Sequence, residues 1–180
     1  MDILGIKNAD VIGVSQGGMI AQYLAIYRPD LVKKLVLAVT LSQNNDTVKQ
    51  VVNSWIEMAE MGAMKELVAD MAKKMYSDAY VKRYRPFMPL LTILQKPKDV
   101  QRFVILAKAC FTCNTYEVLD KIKCPVFVLG GRQDKVVTGV ASEEIAAKLG
   151  CKIHMYDSLG HAAYEEAKNF NQIVYDFLIG

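Results

Sequence analysis

The sequence has no apolar run approaching the ~20 residues that a bilayer-spanning helix requires. Its longest, such as Val11 to Val14, Leu35 to Val39 and Val126 to Leu129, fall far short. A membrane-spanning segment is therefore excluded, and no membrane partner is expected. Excess charge of one sign is also lacking, since 22 Lys and Arg stand against 19 Asp and Glu, for a net charge of +3. The one small basic cluster, Lys82-Arg83-Tyr84-Arg85, reads as a solvated helix face, so nucleic acid is not an expected partner. Histidine is scarcer still: His154 and His161 are the only two. Cys110-Phe111-Thr112-Cys113 has the spacing of a redox or metal pair, but no second pair accompanies it, and packing thiols are the better reading. No metal and no organic cofactor are implied. Nothing at the N-terminus resembles a positively charged n-region followed by an apolar h-region, and with four cysteines in or beside apolar segments the expected location is cytoplasmic.

What is present is a chain of 180 residues with 52% hydrophobic and 23% charged content, enough for one good core. Ala9 to Val14 is a short β-branched run. Ser15-Gln16-Gly17-Gly18 follows at once, and then Ile20, Tyr23, Leu24 and Tyr27 recur at helical spacing. The order predicted is strand, tight turn, helix. Pro29 ends the helix, and Leu31 to Thr40 supplies a second strand that is apolar on both faces around Leu35 to Val39. Strand, helix and strand with short joints imply a right-handed parallel βαβ unit.

From about residue 42 to 123 the texture changes to long amphipathic stretches, with Val51, Trp55, Met58 and Ala59 on one stripe and Leu67, Met71 and Met75 on another. This block is predicted to be helical and cut into pieces by Pro86, Pro89 and Pro97. Its methionines suit an adaptable surface over a ligand, though methionine at helical spacing is more often core filler. The α/β rhythm returns with a third strand over Cys124 to Gly131, a helix over about Val140 to Leu149 closed by Gly150, a fourth strand over Cys151 to Tyr156, and a last helix over about Tyr164 to Leu178. The expected fold class is α/β: a parallel sheet of about four strands with helices on both faces and an inserted helical cap. The core comprises residues 1–41 and 124–180, and the cap residues 42–123.

Gly13-Val14-Ser15-Gln16-Gly17 matches G-x-S-x-G in the strand-to-helix context that gives the pattern meaning. Such a turn is strained. Glycines two before and two after the serine are expected to let strand and helix approach, and the turn lifts the Ser15 hydroxyl to the carboxyl end of the sheet. The Gln16 backbone N–H is then placed near a developing oxyanion. A phosphate-binding βα turn fits less well, because the glycine spacing is neither G-x-G-x-x-G nor a P-loop and no ribose-binding acid follows the next strand. A serine nucleophile needs a base, and the base needs a partner that fixes its tautomer. Asp134 falls in the loop after the third strand and His161 in the loop after the fourth. His154 is a rival base but lies within a strand, where alternation puts it on a sheet face. Asp157 rivals Asp134 but shares the loop of His161.

These motifs, together with Ala21, Tyr27-Arg28-Pro29, Pro125 to Gly131 and Gly160-His161, resemble the α/β-hydrolase superfamily over essentially the whole chain. More narrowly the sequence is similar to the cap-bearing esterase-like members, which include small-molecule esterases, carbon–carbon bond hydrolases and proline iminopeptidase relatives. The resemblance implies that Ser15 is the nucleophile, His161 the base and Asp134 the acid, in the family's chain order Ser, Asp, His. It also implies an insertion in the place taken by residues 42–123, with Trp55, Phe87, Met88 and Val136 as candidates for the pocket surface. The expected partner is a small ester or related acyl substrate. The alternatives are carbon–carbon bond cleavage, release of an N-terminal residue on the same triad, or an inactive fragment. A complete member has about four strands and two helices before the nucleophile strand, including the loop that donates a second oxyanion N–H. Here Met1 to Lys7 resembles only the end of the helix just ahead of that strand. The chain is therefore expected to be a C-terminal part of such a protein, impaired in activity and able to self-associate through its exposed first strand.

Overall fold

The computed structural model describes residues 1–95 and 97–180, with the side chains of Met88, Leu91, Thr92 and Gln95 excepted. The pocket candidate Met88 thus lies outside the described side chains. Four parallel strands, β1 (Ala9–Val14), β2 (Val32–Ala38), β3 (Val126–Gly131) and β4 (Lys152–Tyr156), form one sheet in the order β1-β2-β3-β4. The two inner strands are apolar on both faces because both faces are covered. On one side Leu35, Leu37 and Val128 pack with Ala21, Ala25 and Ile26 of α1 (Gln16–Tyr27) and with Ile145 and Ala146 of α7 (Gly139–Leu149). On the other, Val36, Ala38, Phe127 and Leu129 pack with Ala163 of α8 (Ala163–Glu166) and with Phe170 and Val174 of α9 (Phe170–Ile179). At β1 the outer edge is unpaired among the described residues, and Ile12 on that strand is 50% exposed.

Two elements differ from the sequence expectation. β2 stops at Ala38 because Val39 takes a positive φ of 44°. That conformation is unusual for a β-branched residue and turns the chain out of the sheet. The final helix is two helices, since the chain leaves helical geometry at Ala167 (ψ 113°) and resumes at Phe170. The turn lets Phe170 and Val174 reach the sheet face that Ala163 also covers.

Between β2 and β3 the chain is helical: α2 (Asp46–Glu60), α3 (Met64–Met75), α4 (Asp78–Tyr84), α5 (Met88–Gln95) and α6 (Val100–Ala109). Side-chain caps start three of them, with Asn45, Ser77 and Asp99 accepting the N–H groups of Val48, Tyr80 and Arg102. The buried stripe of α2, including Val48, Val51 and Trp55, packs with Leu67 of α3 and with Val136 and Val137 from the loop after β3. The ends of the helical block are tied together, because the Ser42 carbonyl accepts the Thr115 and Tyr116 N–H groups at 2.7 and 3.2 Å. Beyond that tie, Leu119 and Ile122 pack with α1 and α7, so this stretch lies against the sheet layer. No helix among the described residues is long and apolar enough to cross a membrane.

Candidate active site

Parallel strands send their carboxyl ends to one edge, and the loops leaving β1, β3 and β4 meet there. Ser15 follows β1 directly with φ 51° and ψ −121°, a conformation that side chains other than glycine rarely adopt. Packing holds it there. The Ser15 N–H donates to Ala38 and its carbonyl accepts the Thr40 hydroxyl at 2.7 Å. Val39 (φ 44°) and Thr138 (φ 75°) also have positive φ and end or begin elements at this edge, so backbone strain is concentrated at the site.

The glycines act differently from the sequence expectation. A Cβ on Gly13 would stand 2.6 Å from the Gly18 Cα, and one on Gly18 would stand 2.6 Å from the Thr40 Cβ. At Gly17 a Cβ would meet nothing within 4 Å. The close approach of strand and helix therefore requires Gly13 and Gly18, and the last glycine of the G-x-S-x-G pattern is not the one that packing demands.

The structure brings Ser15, His161 and Asp134 together in a line. His161 Nε2 lies 2.9 Å from the Ser15 Oγ, and His161 Nδ1 lies 2.8 Å from the Asp134 Oδ2. A carboxylate oxygen only accepts, so the neutral ring carries its proton on Nδ1 and leaves Nε2 free to accept from the serine hydroxyl. Both partners are enclosed: the His161 and Asp134 side chains are 4% and 1% exposed. The second Asp134 oxygen accepts the Val136 and Val137 N–H groups at 2.7 and 3.0 Å, which fixes the carboxylate's orientation. The rivals lie elsewhere. His154 stands on β4 with its ring edge-on to Tyr156, and Asp157 is 84% exposed and paired with Arg132. Gln16 opens α1, so its backbone N–H has no acceptor within the helix and stays available beside Ser15.

A cavity of about 170 Å³ opens over Ser15 and His161. Its walls include Met19, Val48, Val52, Trp55, Met71, Met75, Cys110 and Val136, so the helical block between β2 and β3 supplies most of its apolar lining. The pocket candidates Trp55 and Val136 are among these lining residues. Phe87 is not: it is 57% exposed, in a short turn. The Trp55 indole donates to Asp70 at 2.8 Å, and Asp70 pairs with Lys74, which fixes the indole's tilt. Gln16 also reaches the helical block, its side-chain amide donating to the Leu106 carbonyl at 2.6 Å. A larger hollow of about 310 Å³ lies against β4 and α9 with His154, Lys152 and Asp176, and its described lining includes no serine or cysteine. All four cysteines are free thiols, and burial raises each above its ordinary pKa, Cys113 to about 11.

Comparison with known proteins agrees with this fold. Residues 1–86 match the family model described as the alpha/beta hydrolase fold. A 2-hydroxy-6-oxononadienedioate/2-hydroxy-6-oxononatrienedioate hydrolase of Pseudomonas sp. is 28% identical over 99% of this chain and 65% of its own length. The human monoacylglycerol lipase ABHD6 is 24% identical over 96% of this chain and 55% of its own length. The chain thus spans less than two thirds of the length of these curated relatives. Among solved structures, the alpha/beta hydrolase MGS-M2 from a deep-sea metagenome library superposes with a TM-score of 0.92 at 23% identity, covering 99% of this chain and 68% of that one. The enol-lactonase from Burkholderia xenovorans LB400 does so with a TM-score of 0.87 at 22% identity, covering 100% of this chain and 69% of that one. The chain thus has the α/β-hydrolase fold, and its first 86 residues match that family's model.

Proposed function

We propose that the protein is a serine hydrolase that cleaves a small, uncharged ester or related acyl compound through a covalent acyl-enzyme. The observation that carries this reading is the unbroken line from Asp134 through His161 to Ser15, with contacts of 2.8 and 2.9 Å. His161 Nε2 takes the Ser15 proton as Oγ attacks the substrate carbonyl carbon. Asp134 stabilises the imidazolium that forms, and the Gln16 N–H donates to the oxyanion. Collapse of the tetrahedral species breaks the ester bond, and His161 returns the proton to the departing alkoxide. Water then attacks the acyl-enzyme, with His161 again as base, and Ser15 is regenerated as the acid leaves.

The helices between β2 and β3 act as a cap in this reading, because they wall the cavity over Ser15 with Val48, Val52, Trp55, Met71 and Met75. No Lys or Arg occurs among the described residues of that wall, which favours an uncharged acyl group over a dicarboxylate. The second reading, carbon–carbon bond hydrolysis on the same three residues, is favoured by similarity to the Pseudomonas hydrolase. A substrate panel separates the two. Neutral p-nitrophenyl esters of short acids should turn over in a Ser15-dependent way, whereas faster turnover of a dicarboxylic 1,5-diketone would overturn the ester assignment.

A further inference from the structure

His161 lies on a loop whose far end is fastened to the inserted helices. The residues after it, Ala162 to Glu166, meet the joint between α3 and α4 at three successive positions. The Ala162 N–H donates to the Met75 carbonyl at 2.8 Å, satisfying an acceptor left open at the end of α3. The Tyr76 hydroxyl donates to Glu165 Oε2 at 2.6 Å. Glu166 accepts twice from Ser77, from the backbone N–H at 2.9 Å and from the hydroxyl at 2.5 Å. Ser77 is also the N-cap of α4, accepting the Tyr80 N–H at 3.2 Å. Partial burial and the Glu165 carboxylate raise the Tyr76 phenol well above its ordinary pKa, so it remains a donor through the neutral range. Met75 lies at the joint and also lines the cavity over Ser15.

We propose that Met75, Tyr76 and Ser77 with Ala162, Glu165 and Glu166 form a clamp through which the inserted helices set the position of His161, making Ser77 and Glu166 positioning residues. This rests on the Ser15–His161–Asp134 reading given above. The physical argument is one of reach. Asp134 restrains one edge of the imidazole, and the Leu159 carbonyl accepts the Gln133 N–H at 3.0 Å on the N-terminal side of His161, but on its C-terminal side the chain is held by bonds to the inserted helices at Met75 and Ser77. A cap helix displaced by substrate therefore moves the base, and a base misplaced by ~1 Å lowers the rate about 10²-fold. Closure of the cavity and alignment of the base become one event.

The test compares Glu166→Ala, Ser77→Ala, their double variant and Glu166→Gln with the parent protein. One readout is the rate at which a fluorophosphonate labels Ser15. The other is the low-field proton resonance of His161 Nδ1–H, assignable because His154 is the only other histidine. The alanine variants should label about 10- to 100-fold more slowly, the loss falling on kcat rather than KM with a neutral ester, and the resonance should broaden. The double variant should be no worse than about the worse single one, since both break the same contact. Glu166→Gln should recover most of the rate, because its Oε1 still accepts the Ser77 N–H and its amide donates to the Ser77 hydroxyl. Tyr76→Phe removes a single hydroxyl and serves should the alanine variants not fold, with a smaller effect in the same direction. Parental labelling with an unchanged resonance in Glu166→Ala and Ser77→Ala would overturn the clamp. If the parent protein does not label, the nucleophile reading falls and the resonance alone decides the clamp.

Discussion

Replacing Gly18 by alanine should damage the protein, and replacing Gly17 should not. A Cβ at Gly18 would stand 2.6 Å from the Thr40 Cβ and 2.7 Å from its Cγ2 and Oγ1. Thr40 is fully buried, and its β-branched side chain is stiff at χ1. It cannot swing away without releasing the 2.7 Å bond from its hydroxyl to the Ser15 carbonyl. Overpacking of this kind destabilises by about 1–3 kcal/mol, and the lost hydrogen bond adds about 1 kcal/mol. Both glycines lie in α1, where alanine is favoured over glycine by about 1 kcal/mol. The net for Gly18→Ala is a loss of about 1–3 kcal/mol, read as a Tm lower by about 3–10 °C for a chain of this size. At Gly17 the added Cβ meets nothing within 4 Å, so the helix term acts alone. Its Tm should rise by about 2–4 °C. Differential scanning calorimetry of the two variants decides the matter. A Gly18→Ala protein that melts at or above Gly17→Ala would refute the claim that the Thr40 contact sets the turn.

Asp134→Asn keeps an oxygen for the Val136 and Val137 N–H groups but presents an amide to His161 Nδ1, so ester turnover should fall about 10³- to 10⁴-fold with little change in Tm. Asp134→Ala should in addition lose about 1–3 kcal/mol, seen in urea unfolding, because two buried N–H groups lose their acceptor. The exposed edge of β1 suits antiparallel pairing with a second copy about a two-fold axis, so the 180-residue chain should self-associate in light scattering. Ile12→Lys should reduce that association, and an unmodified chain that stays monomeric would contradict it. Burial raises the Cys113 thiol from 9.0 to about 11. The folded state therefore holds that proton more tightly than the unfolded chain, and the stabilisation is complete below about pH 9 and lost as pH rises toward about 11. Thermal melts across that window in parent and Cys113→Ala proteins check the sign.

The parallel sheet and the three aligned residues were legible because each depends on local pattern. A β-branched run meets a helical period at Ser15, and Asp134 and His161 each follow a strand that must end at the same edge. What was not legible depends on contacts between distant segments. The need for glycine at position 18 comes from Thr40, and the bonds between Ser77 and Glu166 join residues 89 apart with no pattern linking them. Phe87 was a pocket candidate only through the resemblance, which carries no information on which way a residue of the insertion faces, and it is 57% exposed. Trp55 is in the cavity wall by its place on the α2 stripe, although its bond to Asp70 had no signature in the sequence.

The central claim is that His161 and Asp134 activate Ser15 as a nucleophile. The most direct measurement is reaction of the folded protein with a fluorophosphonate, with the adduct located by peptide mass and its rate compared in Ser15→Ala and His161→Ala. One adduct on Ser15, absent in the first variant and slowed by about 10³-fold or more in the second, is the predicted result. A folded protein that forms no adduct, or forms one elsewhere while Ser15 stays unmodified, would contradict it.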